Sequence, residues 1–325
     1  MPTHLFPKAP NGALSLTLLL TVLANLLACA ALAQEAGWSA GAPMPTARSE
    51  IASAELDGRI YVAGGLTQFG TTDAFEVYDP TTNSWKELAP LPEGRHHLAL
   101  TALGGKLYLT GGYADLSFSA NRKNGWAYDP AKNAWQPIAD MPGPRAAHRT
   151  AAVGDKLYVA GGVGTNPLAL WAYDPATNSW EADLAELPTA REHLAVAGAG
   201  GKLYVIAGRW GNQNLTVLEA YDPASNSWNR LADLPAPRGA LTAAVIGERI
   251  HVTGGEDLNS ADTYDDHWIY DPASDRWEEA KAMPTSRHGL DSSASAGRWY
   301  VIGGGTGAGF RTFFTLSDAV EIYQP

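Results

Sequence analysis

Most histidines of this sequence lie in six short windows, some of which also carry a glutamate. Imidazole and carboxylate groups that lie together can bind a divalent metal ion, or act as acid and base near neutral pH. Each window directly follows an arginine, and the windows differ from one copy to the next: Ser49-Glu50, His96-His97, Ala146-Ala147-His148, Glu192-His193, Gly239-Ala240 and His288-Gly289. The windows are therefore candidates for a ligand site.

Three interpretations of these windows remain open at the level of sequence, and a divalent metal site is the least favoured of them. They could recognise a polar ligand, or they could line a wet, polar channel mouth in which histidine only fills space. No two of the residues have the spacing of a known metal motif, so the sequence predicts no metal and no other cofactor.

A second candidate is the segment that contains Arg209 and Trp210, followed by Asn212, Gln213 and Asn214. An exposed tryptophan beside amide donors can stack on and hydrogen-bond to a sugar or a peptide. The alternative is ordinary packing of a loop. The residues that we predict to bind a ligand are His96, His97, Glu50, Glu192, His193, Arg209, Trp210 and His288.

Two other stretches have weaker signals. An acidic loop could hold Ca²⁺ but lacks the spacing of a calcium loop, so a solvated loop is the preferred interpretation. The run from Gly303 to Gly309 is rich in glycine, but we expect no helix after it, which makes it a poor phosphate cradle. The acidic residues are Glu256, Asp257, Asp262, Asp265 and Asp266.

The elements that position these residues come from an internal repeat. Six arginines recur, and a glycine pair follows each of them 16 residues later, with Ala207-Gly208 as the one altered pair. A tyrosine follows each pair, and in five copies a tryptophan lies seven residues after the tyrosine. Short β-branched and aromatic segments bounded by glycine turns, such as residues 59–62, indicate strands. The repeated arginines are Arg48, Arg95, Arg145, Arg191, Arg238 and Arg287.

This pattern resembles the Kelch repeat over the whole chain after residue 33. The resemblance implies an all-β fold, a six-bladed β-propeller with four strands in each blade. The sixth copy ends at Tyr323-Gln324-Pro325, before its tryptophan, whereas Trp38 precedes Arg48 by ten residues, which is the spacing in four other copies. We therefore expect the strand around Trp38 to complete the last blade and close the ring.

The repeat distinguishes the residues that the fold requires from those that can bind a ligand. Features present in all copies, including the arginines, serve the scaffold, whereas features that occur once are free to serve a ligand. The spacing from glycine pair to tyrosine varies between 12 and 20 residues, while the arginine-to-glycine spacing does not change. The variable segment is the loop between the second and third strands, and such loops usually form the binding face of a repeat fold.

The first 33 residues differ in composition from the rest. An apolar run from Leu14 to Leu27 is too short for a stable anchor and precedes Ala31-Leu32-Ala33, so we predict a signal peptide over residues 1–33 and a periplasmic or secreted protein. Leu26-Leu27-Ala28-Cys29 also resembles a lipobox, which leaves lipid anchoring at Cys29 as an alternative.

Removal of residues 1–33 deletes the single cysteine and Lys8, which leaves 34 acidic and 22 basic residues and a formal charge of −12. A domain from 34 to 325 with no cysteine has no disulfide and no thiol nucleophile. The acidic excess argues against nucleic acid as a partner. We expect a monomer without a transmembrane segment.

Two functions remain open. We favour a non-catalytic module that binds a protein, peptide or glycan at the variable-loop face. The alternative is a carbohydrate-active enzyme, because the resemblance extends to propellers such as sialic-acid mutarotases and galactose oxidases. The copper-oxidase chemistry would need a cysteine cross-linked to a tyrosine, which this domain lacks. A mutarotase needs an acid and base pair, for which Glu192, His193 and Arg209 are candidates.

Overall fold

The computed structural model describes residues 1–3 and 36–325. Cys29 and nearly all of the predicted signal peptide lie outside the described residues. Residues Gly37–Pro325 form one compact unit. In the described part of the chain, no helix has the length and apolar character needed to cross a membrane.

The compact unit is a six-bladed β-propeller, and each blade is an antiparallel sheet with at least four strands. The first five blades follow one another along the chain, and their strands run from the inside of the ring outwards. The main strands are Ala52–Leu56, Arg59–Ala63, Phe75–Asp79 and Ser84–Glu87 in blade 1; Ala99–Leu103, Lys106–Thr110, Gly125–Asp129 and Ala134–Pro137 in blade 2; Arg149–Val153, Lys156–Ala160, Trp171–Asp174 and Ser179–Glu181 in blade 3; Ala195–Ala199, Lys202–Ile206, Leu218–Asp222 and Ser227–Arg230 in blade 4; and Gly239–Ile246, Arg249–Asp257, His267–Asp271 and Arg276–Ala280 in blade 5.

Blade 6 contains both ends of the compact unit. Asp291–Ser295, Arg298–Ile302 and Val320–Gln324 pair in order, and Gly37–Ala40 adds the outer strand with Trp38 opposite Tyr323. This is the pairing that the spacing of Trp38 predicts. It completes the sixth sheet with four strands, so the ring of six blades has no gap.

The variable loops between second and third strands contain most of the remaining structure. Five of the six loops contain short regular elements: three contribute to small two-stranded sheets, one adds a strand to blade 5, and one contains a 3₁₀ helix. These elements are Leu66–Thr67 with Gly70–Thr71, Val163–Gly164 with Arg145–Ala146, Arg209–Trp210 with Gln213–Asn214, Asp262–Thr263 on the second strand of blade 5, and the 3₁₀ helix Gly309–Phe314. The helix follows the glycine-rich run, so the expectation that none would follow was wrong.

The six repeated arginines are fully buried. Most of them have a partner two residues before the repeated tyrosine, where the side chain is either glutamate or tryptophan. Arg95 and Arg145 lie over the rings of Trp126 and Trp171, with the guanidinium carbon 4.4 and 3.6 Å from the ring centroid. The N–O distances of the glutamate pairs Arg48–Glu76, Arg191–Glu219 and Arg287–Glu321 are 2.8, 2.6 and 2.7 Å. The arginines therefore hold the scaffold, as their recurrence predicts.

The repeated tryptophans join neighbouring blades. The indole N–H of Trp85 donates to the carbonyl of Ala42, at 2.8 Å, and Ala42 belongs to the connection that precedes blade 1. Asn83 accepts from both the Tyr78 hydroxyl and the Ala42 N–H, at 2.6 Å each. Equivalent indole bonds occur at Trp135, Trp180, Trp228 and Trp277. The turn between the third and fourth strands of each blade is thus bonded to the connection that comes from the preceding blade.

Candidate functional site

The innermost strands are joined at one end of the channel by a closed ring of six backbone hydrogen bonds. Each N–H donates to the carbonyl of the equivalent residue in the preceding blade, over 2.6 to 3.1 Å. The six residues have φ between 50° and 59°, a conformation that costs an L-residue about 1 kcal/mol. We call this set the mouth ring: Glu50, His97, Ala147, His193, Ala240 and Gly289.

A second layer of contacts places loop residues beside the mouth ring. The residue immediately after each arginine pairs with the residue immediately after the glycine pair of the same blade. This register holds the start of each variable loop at the channel. The pairs are Ser49 with Leu66, His96 with Tyr113, Ala146 with Val163, Glu192 with Arg209, Gly239 with Glu256, and His288 with Gly305.

Together these residues enclose an open cavity of about 840 Å³, which we call the cup. The mouth-ring side chains Glu50, His97 and His193 form its floor. Its wall is charged, and its rim is aromatic. The wall contains Glu192, Arg209, Glu256 and His288, and the rim contains Tyr113, Phe118, Trp210, Phe310 and Phe313.

Seven of the eight residues predicted to bind a ligand line the cup: Glu50, His97, Glu192, His193, Arg209, Trp210 and His288. His96 is fully buried and lies behind His97 instead. His148 also does not reach the cup, because it packs in the core with Nε2 at 3.0 Å from the Thr110 hydroxyl. Direct lining by His96 was therefore a wrong expectation. Of the two neighbouring histidines, His97 lines the cup and His96 does not.

His96 nonetheless acts on the floor through His97. Its Nε2 lies 2.9 Å from the carbonyl of Asp115, which can only accept, so Nε2 carries the proton. Nδ1 of His96 lies 2.5 Å from Nδ1 of His97. Burial lowers the pKa of both imidazoles, so in the neutral pair Nδ1–H of His97 is the donor. Nε2 of His97 then carries a lone pair, 3.3 Å from Oε2 of Glu50.

The floor is thus a place where uncharged imidazole meets a buried carboxyl group. Burial raises the pKa of Glu50 and lowers that of His193 well below its usual value. Glu192 lies against Nδ1 of His193. A group that enters between these side chains meets lone pairs from both imidazole and carboxylate.

The wall is held by Arg209. Its Nε donates to Glu192 at 2.8 Å and its Nη1 donates to Glu256. The other oxygen of Glu256 accepts from the Gly309 N–H at 2.6 Å and lies 3.1 Å from Nδ1 of His288. No protein partner binds Nη2 of Arg209 in the described part of the chain, which leaves one edge of the guanidinium for a ligand.

The acidic residues of the loop do not come together as a set of three potential metal ligands in the described part of the chain. Glu256 is committed to the cup wall, and Asp266 pairs with Arg238 and accepts from the indole of Trp268. Within residues 1–3 and 36–325, the one group of three or more potential metal ligands is Glu50, His97 and His193. The glycine-rich run likewise offers no phosphate cradle at Gly309, because that N–H is bound by a carboxylate.

The face around the cup is apolar. Each of the six variable loops carries at least one large, exposed apolar side chain, and Met1 is the one other such residue in the described ranges. Exposed apolar groups that gather on one face indicate an interaction surface. We call this set the crown: Phe69, Leu116, Val163, Trp210, Leu258, Phe310 and Phe314.

Sequence reasoning did not assign Tyr113, Phe118, Phe310 or Glu256 to the site. Tyr113 and Glu256 had a detectable signal, because each directly follows a glycine pair, as Arg209 does. That position pairs with the residue after the arginine, so both positions belong together. Phe118 and Phe310 lie within loops that have no repeated length, and their place follows only from the fold.

The fold is a β-propeller with one open cavity, the cup, on its variable-loop face. The chain belongs to the Kelch-repeat family: residues 33–162 and 147–321 match the model described as the KLHDC2/KLHL20/DRC7 Kelch-repeats domain. The solved structure of YjhT is similar, with a TM-score of 0.74 and 20% sequence identity, over 88% of this chain and 97% of that one. This likeness concerns the fold. No curated protein matches the sequence.

Proposed function

We propose that this protein is an exported recognition module that binds a carbohydrate in the cup. The observation that supports this best is a buried, charged floor inside a cavity with an aromatic rim. Sites for small ligands commonly enclose about 300–1,000 Å³ and combine apolar walls with a few convergent polar groups. The cup, at about 840 Å³, falls in that range.

The polar groups suit a ligand with many hydroxyls, because a hydroxyl both donates and accepts. Glu50 and Glu192 are acceptors, and the free Nη2 of Arg209 is a donor. The exposed indole of Trp210 offers an apolar face on which the C–H groups of a sugar ring can stack. A flat apolar ligand would cover Nη2 of Arg209 without accepting its hydrogen bond, at a cost of about 1–3 kcal/mol.

A peptide or protein ligand is the second candidate, and the crown is the observation that favours it. Kelch propellers are generally interaction modules, and the crown surrounds the cup with apolar side chains from all six loops. A protein partner would rest on the crown and insert one polar side chain into the cup. Such a partner would bury much of Phe69 and Phe314, which are 91% exposed and do not line the cup.

Chemistry on a bound sugar is the catalytic alternative. Anomer exchange requires proton transfer at the ring oxygen and at the anomeric hydroxyl. Glu192 and His193 lie together, and Arg209 holds the carboxylate of Glu192. These contacts support the catalytic alternative, in which Arg209 is a positioning residue for Glu192.

One array experiment separates these candidates. The purified protein is applied to an array that carries both glycans and peptides, beside the variants Trp210→Ala and Phe69→Ala. Glycan binding that Trp210→Ala weakens and Phe69→Ala preserves supports the cup. Peptide binding that Phe69→Ala abolishes would overturn it in favour of the crown. Faster anomer exchange of a bound sugar, measured by NMR, would identify the catalytic alternative.

A further inference from the structure

We propose that the floor of the cup binds one divalent transition-metal ion through Glu50, His97 and His193. One carboxylate oxygen and one ring nitrogen from each imidazole lie within 4.8 Å of one another. His97 and Glu50 are 5% and 6% exposed, so two of the three ligands are almost fully buried. Two imidazoles and one carboxylate form a facial set that leaves further coordination positions open.

The mouth ring fixes this set in advance. All three residues belong to the six backbone positions that are joined in a closed ring of hydrogen bonds. The other three positions hold Ala147, Ala240 and Gly289, whose small side chains leave the centre free. A Cβ atom at Gly289 would lie 2.5 Å from Oε1 of Glu50, so glycine there makes room for the carboxylate. The scaffold therefore supplies the ligands from rigid positions.

The groups behind the ligands also suit a metal. Histidine ligands usually donate their second ring N–H to a carbonyl or carboxylate, which fixes the lone pair on the metal side. His97 donates Nδ1–H to His96, which in turn donates to the carbonyl of Asp115. Nδ1 of His193 lies against the carboxylate of Glu192. Each imidazole thus has a neighbour on its Nδ1, which leaves Nε2 for the metal ion.

The charge of the site favours a cation. The lining of the cup contains the carboxylates of Glu50, Glu192 and Glu256 and the guanidinium groups of Arg209 and Arg311, so the carboxylates outnumber the guanidinium groups by one. Buried charges need compensation, and a divalent ion supplies it. Imidazole with one carboxylate suits Zn²⁺, Fe²⁺, Co²⁺ or Ni²⁺ better than Ca²⁺ or Mg²⁺.

The test is titration of the purified, metal-stripped protein with CoCl₂, followed by visible absorption, with no carbohydrate present. We expect one Co²⁺ per chain, a spectrum that differs from aqueous Co²⁺, and displacement by Zn²⁺. His97→Gln and His193→Gln should each raise the Kd for Co²⁺ by about 100-fold or more, because each removes a ligand. Gly289→Ala should also raise the Kd, because it displaces the carboxylate of Glu50.

Trp210→Ala is the matched control, since it lines the cup but offers no ligand, and it should leave the Kd for Co²⁺ unchanged. Circular dichroism verifies that each variant is folded, and Glu50→Gln replaces any variant that is not. Absence of Co²⁺ binding below millimolar Kd would overturn the proposal. Binding that His97→Gln and His193→Gln leave intact would overturn it equally. Because the probe is the metal alone, the result does not depend on the carbohydrate proposal.

Discussion

Replacement of Trp38 by alanine tests how the propeller closes. Trp38 lies in the outer strand of blade 6, far in sequence from the rest of that blade. Its indole N–H donates to the carbonyl of Lys281 at 2.7 Å, and its ring centroid lies 5.2 Å from that of Tyr323 and 5.7 Å from that of Trp299. Loss of this side chain removes contacts on both sides of the closure.

The expected cost combines two contributions. Burial of part of an indole stabilises by about 2–3 kcal/mol, and the hydrogen bond contributes about 1 kcal/mol. Trp38→Ala should therefore lower the free energy of unfolding by about 3–4 kcal/mol, a large part of the stability of an ordinary domain. Equilibrium unfolding in urea, followed by circular dichroism, measures this loss.

Trp210→Ala is the control, because Trp210 is 47% exposed and lies outside the closure. It should change the free energy of unfolding by about 0.5 kcal/mol or less. Equal losses in the two variants would refute the reasoning. So would a midpoint for Trp38→Ala that matches the unaltered protein, since closure by the N-terminal strand would then contribute nothing.

Two further predictions concern acid stability and processing. Burial lowers the pKa of His251 to about 3 and that of His267 to about 4, so the unfolded state takes up protons first and stability falls as pH drops below about 6.5. At pH 5, each histidine should lower the free energy of unfolding by about 2 kcal/mol. Urea unfolding at pH 7.5 and 5.0 measures this drop, which should be smaller by about that amount in His251→Leu. An equal drop in His251→Leu and the unaltered protein would contradict the assignment. N-terminal sequencing of the exported protein should begin at Gln34, whereas a lipid-modified Cys29 would show an envelope lipoprotein instead.

Recurrence made the scaffold predictable. The arginines, glycine pairs, tyrosines and tryptophans each repeat because every blade makes the same packing contacts. The buried pairs of Arg48 and Arg287 with glutamates illustrate the role in packing that the repeated arginine has. The position of Trp38 was predictable for the same reason, since a missing strand at one end implied a supplied strand at the other.

The site was only partly predictable because it forms where blades converge. Neighbours in the cup, such as Glu50 and His288, are far apart in sequence, and spacing within one repeat cannot reveal a ligand set shared between repeats. This is why the sequence predicted no metal site, although the floor brings Glu50 together with His97 and His193. The left-handed backbone conformation of His97 could not be predicted from the sequence either, since it belongs to the closed ring of hydrogen bonds between blades.

Replacement of His97, Glu192 or Arg209 should lower the stability of the fold as well as affect the site. These residues are almost fully buried and form partnered networks, so their removal leaves buried polar groups unpaired and costs about 1–3 kcal/mol. Trp210, which is exposed, is the residue at which binding can be separated from folding.

The most direct test of the cup as the binding site is calorimetric titration of Trp210→Ala with the glycan that binds best on the array. Loss of an aromatic anchor costs about 2 kcal/mol or more, so the Kd should rise about thirty-fold or more while the unfolding midpoint stays in place. Lys156→Ala serves as control, because Lys156 lies at the start of a strand outside the cup, and it should not change the Kd. An unchanged Kd in Trp210→Ala, together with weakened binding in Lys156→Ala, would place the ligand elsewhere and contradict the account.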